Sequence, residues 1–227
     1  LLHRLRAHAA AGSLSFADAL RLVRRRAESM QEACDREQGT MASIVGLTRE
    51  EVARICAGVR GLGVIGLANL NSPGQIAVSG GVRAVEAAML AARERGAQKV
   101  VRLQVSGAFH SMLMKPAEER LRAAVEAAAV SPPRYPVIAN VTARPVTGPG
   151  EIREALVRQL CAPVLWEECV RTMIADGVEL FVEIGHGRVL SGLMRRIDKA
   201  RKAANVQDLR SLEKTKAILS GSHGGAA

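Results

Sequence analysis

Hydrophobic residues recur at the period of a helix soon after the start of the chain. Leu20, Val23, Ala27 and Met30 share one helical face, and Ser15 stands where it can cap the first turn. The pattern therefore predicts an amphipathic helix that begins at Ser15. A run of three arginines, Arg24 to Arg26, lies inside this helix.

The next stretch alternates strand and helix patterns through six elements. Thr48-x-x-Glu51 has the spacing of a capping box, and Gly96 ends an alanine-rich run, so both helices have recognisable ends. Strands are predicted at 41–47, 64–70, 75–79 and 99–105, and helices after Thr48 and at 82–95. The order β-α-β-β-α-β is typical of a ferredoxin-like unit.

The second half of the chain has the pattern of an α/β fold. Helices are predicted at 116–130, 151–160 and 166–176, and strands at 137–140 and 178–184. A glycine-rich loop, Gly185 to Leu190, joins the last strand to a helix that runs through Ile197. Apolar periodicity fades after Asp198, so we predict a disordered tail at 213–227 and weak structure at both ends of the chain.

Composition narrows the class of protein. Of the 227 residues, 48% are hydrophobic and only 2% are aromatic, so aliphatic side chains must build the core. The net charge of +10 favours acidic partners: nucleic acid, a membrane surface, a phosphorylated cofactor or an acidic carrier protein. A solvated basic surface is the plain alternative. A nucleic-acid-binding module would need exposed aromatics on its strands, and 41–47 and 99–105 contain none.

The four cysteines fit no metal or disulfide framework. They stand at 34, 56, 161 and 169 without a CxxC pair, which indicates reduced thiols in a cytoplasmic protein and no metal site. No run approaches the ~18 apolar residues of a membrane-spanning helix, so we expect no membrane association. The first residues are too short and too charged for a secretory signal, and the absence of an initiator methionine suggests a fragment.

One histidine has the setting of a catalytic base. His110 lies between Phe109 and Ser111, directly after a strand pattern and before Pro116, which can open a helix. Catalytic bases are commonly placed on loops that a rigid element supports. The remaining histidines have no such setting and are given no catalytic role: His3, His8, His186 and His223.

Six segments, in order, resemble the malonyl-CoA:acyl carrier protein transacylases and the related acyltransferase domains of polyketide synthases. They are SFADALRLVRRRAESMQEA, GTMASIVGL, NLNSPGQIAVSG, SGAFHSMLMKPA, ALVRQLCAPVLW and VEIGHGRVLSGL, at 15–33, 39–47, 69–80, 106–117, 155–166 and 182–193. The resemblance extends from about Ser15 to Leu212, most of the chain.

The resemblance implies an α/β fold of two subdomains. A larger, α/β-hydrolase-like subdomain comprises 1–38 and 106–212 without its N-terminal part, and the ferredoxin-like subdomain, 39–105, is inserted into it. The implied reaction moves malonyl from coenzyme A to a serine, and from there to the phosphopantetheine thiol of acyl carrier protein. Coenzyme A and acyl carrier protein are then substrates, no cofactor is required, and we expect a monomer.

The resemblance also implies roles for five residues. His110 is the general base, and the main-chain carbonyl of Gln159 orients it. Arg26 binds the malonyl carboxylate, although the adjacent arginines leave this register open by a residue or two. Phe109 crowds the space that an α-methyl group needs, which favours malonyl over branched acyl groups, and Asn71 lies in a loop that lines the cleft.

The chain departs from the family at the nucleophilic serine. No serine in the chain has glycine both two residues before and two after it. Counting back from Gly12, the family's serine falls at Leu1 and the next glycine at His3, so no nucleophile is assigned. The alternative reading is a catalytically inactive, truncated acyltransferase that at most binds acyl carrier protein.

Overall fold

A computed structural model describes residues 3–221, and these alternate between helices and strands, which confirms the α/β class. The first elements are α1 (His3–Ala10), α2 (Phe16–Arg36), β1 (Gly39–Val45), α3 (Arg49–Gly58), β2 (Ile65–Ser72), β3 (Gln75–Gly81), α4 (Val82–Glu94) and β4 (Lys99–Arg102). The others are α5 (Lys115–Ala127), β5 (Val137–Ala139), β6 (Arg144–Val146), α6 (Pro149–Arg158), β7 (Val164–Leu165), α7 (Trp166–Ala175), β8 (Leu180–Ile184), α8 (Val189–Ile197), β9 (Lys202–Val206) and α9 (Leu209–Gly221). Short 3-10 turns occupy Arg60–Leu62 and Met112–Met114.

The predicted β-α-β-β-α-β order is confirmed. Four antiparallel strands form a sheet in the order β4-β1-β3-β2. Thr48 caps α3 through the predicted reciprocal box with Glu51. The helices α3 and α4 cover one face of the sheet, because the apolar stripes of both helices pack against alternate strand positions. The core of this layer includes Ile44, Val52, Val78 and Val85.

A fifth strand, β7, joins the sheet in a way that sequence spacing did not predict. Its two residues run parallel to β2, with Val164 beside Asn69 and Leu165 beside Leu70. The register of β2 against β3 shifts between Leu67 and Asn69 and again between Leu70 and Ser72. The pairing holds the segment that follows α6 against the edge of the ferredoxin-like sheet.

A second core lies among the helices α1, α2, α5 and α6. Ser15 caps α2 as predicted, since its hydroxyl accepts from the Asp18 amide at 3.0 Å. The two large cores draw on separate stretches, 42–92 in one and 5–34 with 114–160 in the other. This separation is in keeping with the predicted insertion of 39–105, whose boundaries stay a prediction. Buried side chains of the helical core include Leu22, Met30, Met114, Leu121, Ile152 and Leu160.

The start of the chain is more regular than predicted. Instead of a weakly structured end, residues 3–10 form the helix α1, and its His8 is buried. The prediction was wrong because His8, which looks polar in sequence, faces inward with Leu5. Polar residues at buried positions weaken the hydrophobic pattern from which a helix is recognised.

The compact units of the chain divide at Cys169 and Val170. In the second unit β8 and β9 form a parallel pair, accompanied by α8 and α9. The carboxylate of Glu183 accepts from the Ser191 amide at 2.8 Å and from its hydroxyl at 2.7 Å, which fixes the first turn of α8. Within residues 3–221 no helix is both long and apolar enough to cross a membrane.

The predicted disordered tail at 213–227 is wrong for residues 213–221, which belong to α9. Polar contacts attach this helix. Asp208 accepts from the Ser211 amide at 2.7 Å, and Thr215 donates to the Asn205 carbonyl at 3.3 Å. Because these anchors are not apolar, hydrophobic periodicity does not reveal the helix. Residues 222–227 lie outside the described residues.

Candidate active site

His110 occupies a strained position on the loop after β4. Its φ of 61° lies in the left-handed region, which few residues other than glycine adopt. The side chain is only 5% exposed. A non-glycine residue persists in such a conformation where the surrounding structure determines it, and such positions concentrate at functional sites.

The loop around His110 is locked on both sides. The Ser111 hydroxyl donates to the Ala108 carbonyl at 2.7 Å and accepts from the Leu113 amide at 3.3 Å, which caps the following turn. On the other side the loop packs tightly against α2: a Cβ added at Gly107 would lie 2.2 Å from the Cys34 sulfur. Only glycine allows this approach, so α2 and the His110 loop are fixed to one another.

Two main-chain carbonyls face the imidazole. His110 Nδ1 lies 2.9 Å from the Gln159 oxygen and 3.2 Å from the Ala162 oxygen. Since both are acceptors, Nδ1 carries the proton, and the lone pair of a neutral ring is then on Nε2. The structure thus brings His110 and Gln159 together, and it adds Ala162, which the sequence did not indicate. A histidine held in this way can accept a proton at Nε2.

The Gln159 carbonyl is positioned by the end of α6. Gln159 is the residue at which α6 ends, and its side chain is buried. The side-chain amide donates to the Leu156 carbonyl at 2.8 Å, within the same helical turn. The side chain therefore satisfies the helix end, while the main-chain oxygen points to the imidazole.

Arg26 is a buried guanidinium on α2. It is 7% exposed, and its Nε and Nη2 have no hydrogen-bond partner among residues 3–221. Burial lowers the pKa of Arg26 to about 10, which still leaves it charged at neutral pH. A buried cation without a partner is costly. The two donors are therefore suited to an incoming anion such as a carboxylate, which can accept from both.

Phe109 and Asn71 are positioned by two other elements. Phe109 packs against the helical core and also against Met41, Ala68 and Ala77 on the sheet face that α3 and α4 leave uncovered. Asn71 lies in β2 between Leu70 and Ser72, where the strand register shifts, and is partly exposed. Such irregularities often redirect side chains next to active sites. Arg26, Phe109 and Asn71 thus come from α2, the His110 loop and β2.

Sequence reasoning missed a buried carboxylate near this loop. Glu118 of α5 is buried and receives a hydrogen bond from Lys115 at 2.6 Å. The available signal was a glutamate on the apolar side of the helix, three residues after a lysine. Among residues 3–221, no group of three or more histidine, cysteine, aspartate or glutamate side chains is arranged to hold a metal.

Comparison with known proteins gives one family. A model described as acyl transferase domain matches residues 5–217. The malonyl CoA-acyl carrier protein transacylase of Bacillus subtilis is 44% identical over 205 residues, which are 90% of this chain and 65% of that protein. The Haemophilus influenzae protein of the same name is 40% identical and covers 92% of this chain and 67% of its own length.

Solved structures agree with this result. The malonyl-CoA:acyl carrier protein transacylase of Xanthomonas oryzae superposes with a TM-score of 0.91 at 39% identity, over 94% of this chain and 68% of that one. A type II polyketide malonyl-transacylase in complex with its acyl-carrier protein gives 0.91 at 40% identity, over 93% and 68%. The chain spans about two thirds of the length of the curated relatives that it matches.

Proposed function

Because the chain belongs to the acyl transferase domain family, we propose that this protein transfers malonyl from coenzyme A to acyl carrier protein in fatty-acid or polyketide synthesis. The support is the name shared by its relatives and a structural neighbour bound to an acyl-carrier protein. Coenzyme A enters as a substrate, and the proposal requires no metal or redox cofactor. The four free cysteines are in keeping with a reducing, cytoplasmic compartment.

The observation that carries this proposal is the orientation of His110. With Nδ1 donating to the Gln159 carbonyl, Nε2 can take the proton of a serine as its oxygen attacks the malonyl thioester. The protonated ring then gives that proton to the departing coenzyme A thiolate, which leaves malonyl-serine. In the second half, Nε2 takes the proton of the carrier thiol, and it returns this proton to the serine when the malonyl thioester forms.

The serine of this mechanism is not present in glycine-flanked form in the 227 residues. The proposal therefore concerns a protein in which such a serine stands next to His110. The rival proposal is an inactive acyltransferase that has the same fold and at most binds acyl carrier protein, without transferring malonyl. The two differ in whether the scaffold transfers malonyl once a serine is supplied.

Arg26 serves as the receptor for the malonyl carboxylate in this proposal. Its two unpartnered N–H groups suit a bidentate carboxylate, and acetyl has no such group to offer. Phe109 restricts the volume beside His110, which favours malonyl over α-methylated acyl groups. Asn71 lies along the substrate cleft. Together these residues select a short dicarboxylic acyl group.

The test is a transfer assay on a chimera. The N-terminal part of the Bacillus subtilis relative, through its glycine-flanked serine and the glycine that follows, is joined to this chain in place of the first three residues, since the family's serine and following glycine fall at Leu1 and His3. We expect the chimera to move malonyl from malonyl-CoA to holo acyl carrier protein, and a serine-to-alanine change to abolish transfer. A folded chimera that binds the carrier protein without transferring malonyl would support the rival proposal.

A further inference from the structure

The hydroxyl of Ser111 closes the turn that contains His110. It donates to the Ala108 carbonyl at 2.7 Å and accepts from the Leu113 amide at 3.3 Å. All four of these residues are buried, so water has little access to either bond. Removing the hydroxyl would take a partner from a buried acceptor and from a buried donor, which costs more than the loss of an exposed hydrogen bond.

The bond to Ala108 holds the backbone of His110 in its unusual conformation. The φ of His110 is 61°, whereas Ser111 is extended, with a φ of −127° and a ψ of 167°. Left-handed backbone is unfavourable for a residue with a Cβ, and it persists only where neighbouring interactions determine it. Because the bond from Ser111 to Ala108 spans the left-handed residue, it resists the rotation that would return His110 to an ordinary conformation.

The direction of the imidazole depends on this backbone. The ring Nδ1 of His110 lies 2.9 Å from the Gln159 oxygen and 3.2 Å from the Ala162 oxygen. N–H···O bonds are usually about 2.7–3.2 Å long, so the contact with Ala162 is at the limit of this range. A change of φ at His110 moves its Cβ, and the ring with it, relative to both carbonyls. The two acceptors therefore receive the proton only while the turn is closed.

We propose that Ser111 is a positioning residue, whose hydroxyl holds the left-handed backbone of His110 and thereby directs Nδ1–H at the two carbonyls. The catalytic meaning of this role rests on the proposed function, since a base must present its Nε2 in a fixed direction. The geometry of the ring is a separate property, and it can be measured in the chain without any transfer reaction.

The first experiment is NMR of the histidine rings in the 227-residue chain. Long-range proton–nitrogen spectra report which nitrogen carries the proton, and His110→Gln identifies the signals of His110. We expect the unaltered chain to show an Nδ1–H that exchanges slowly with water. Ser111→Ala should accelerate this exchange on the order of tenfold, the effect of a buried hydrogen bond that has lost one partner.

Two conservative variants provide the rescue. Ser111→Thr keeps the hydroxyl, and threonine favours an extended backbone such as that of Ser111, so its exchange should be close to that of the unaltered chain. Ser111→Cys keeps the shape of serine with a weaker donor, so it should lie between serine and alanine.

The matched control is Thr48→Ala. The Thr48 hydroxyl accepts from the Glu51 amide at 3.2 Å and caps α3, much as Ser111 caps the turn Met112–Met114. Its removal should lower the free energy of unfolding without changing the exchange of the His110 ring. Urea unfolding of each variant separates a general loss of stability from a change in ring geometry.

The second experiment uses the chimera that contains the serine. Ser111→Ala should lower kcat on the order of tenfold with malonyl-CoA and acetyl-CoA alike, while KM for both stays unchanged, because the hydroxyl orients the base and does not bind the acyl group. A chimera that is inactive although its His110 ring exchanges as expected would contradict the proposed function and support the role of Ser111 in ring geometry.

The inference is overturned if Ser111→Ala is folded and its His110 Nδ1–H exchanges as in the unaltered chain. It is equally overturned if Thr48→Ala accelerates this exchange as much as Ser111→Ala does. Should alanine at 111 prevent folding, or threonine not fit in the buried turn, Ser111→Cys decides: exchange equal to that of the unaltered chain would contradict the inference, and faster exchange would support it.

Discussion

Arg25 and Arg26 are adjacent in sequence but occupy opposite environments. The side chain of Arg25 is 60% exposed and pairs with Glu28 at 3.5 Å, whereas Arg26 is buried and its Nε and Nη2 have no partner among residues 3–221. Arg24 is also exposed and pairs with Glu28. The structure therefore distinguishes three arginines that the sequence left equivalent, and it makes Arg26 the candidate for binding an anion.

We predict that Arg26→Ala makes the chimera selectively poor with malonyl-CoA. The cost of leaving a desolvated carboxylate without its partner is about 2–5 kcal/mol, while acetyl transfer should be unchanged or improved. Arg26→Lys should recover only part of the loss, since it lacks the bidentate fork. Steady-state rates with malonyl-CoA and acetyl-CoA measure the effect.

Arg25→Ala is the matched control for this substitution, because it removes the same group from the solvent side of the helix. It should leave the ratio of malonyl to acetyl rates unchanged. If Arg25→Ala gives the selective loss, or Arg26→Ala lowers both rates equally, the assignment of the carboxylate site is wrong.

The sequence did not distinguish Arg26 from its neighbours. The apolar face predicted for this helix included Leu20 and Ala27, and the structure leaves both exposed. The buried face instead contains Leu22, Met30 and Ala33, whose spacing of three to four residues includes position 26 but not 24 or 25. The approach of the Ala162 carbonyl to His110 likewise joins distant parts of the chain, and no local pattern predicts it.

Two other elements, β7 and α9, were not predicted from the sequence, because no hydrophobic periodicity marks them. The strand β7 is two residues long and exists through its parallel pairing with β2, which is a tertiary contact. The helix α9 is attached by Ser211 and Thr215 rather than by an apolar stripe. The ferredoxin-like unit was predictable because strand alternation and helical periodicity agree over six consecutive elements.

We predict that Gly107→Ala destabilises the chain and disturbs the His110 loop. The added Cβ would lie 2.2 Å from Cys34 Sγ and 3.7 Å from the ring of Phe109, so neighbouring atoms must move. Overpacking of this kind costs about 1–3 kcal/mol in the free energy of unfolding, measured by urea titration.

Two further variants test the cause of that loss. Cys34→Ala removes the sulfur, so the double variant should regain much of the stability that Gly107→Ala loses. Gly58→Ala is the control, since an added Cβ at this position meets nothing within 4 Å. Strictly additive effects of the two substitutions would show that the sulfur is not what Gly107 accommodates.

His8 predicts an acid-sensitive stability. It is buried on α1, its Nδ1 has no partner within residues 3–221, and burial lowers its pKa below the ordinary 6.5. As pH falls below about 6.5, the unfolded chain binds this proton more readily than the folded chain does, so the free energy of unfolding decreases. Above about pH 6.5 His8 is neutral in both the folded and the unfolded chain, so this loss of stability is absent.

The measurement is the urea midpoint from pH 8 to pH 5, pH values chosen to bracket the ordinary histidine pKa of about 6.5. We expect His8→Leu to flatten the decline below pH 6.5, whereas His186→Leu, at an exposed position, should retain it. A decline that is the same with and without His8 would assign the acid sensitivity to other groups.

We predict that the 227-residue chain alone forms no malonyl-serine on incubation with malonyl-CoA. Acyl transfer requires a nucleophile beside its base, and no serine here has the glycine-flanked setting. Intact mass spectrometry checks this, with the chimera as the positive control. A malonyl adduct mapped to a serine of this chain would contradict this prediction and identify a nucleophile outside the glycine-flanked motif.

Single-turnover kinetics of the chimera with His110→Ala tests whether His110 is the base in both halves of the transfer. Removing a general base slows a reaction by roughly 10²–10⁴-fold. We expect a loss of that size for serine acylation and for transfer to the carrier thiol, with malonyl and acetyl alike, while His186→Ala is unaffected. Acylation by folded His110→Ala at the rate of the parent chimera would show that His110 is not the base.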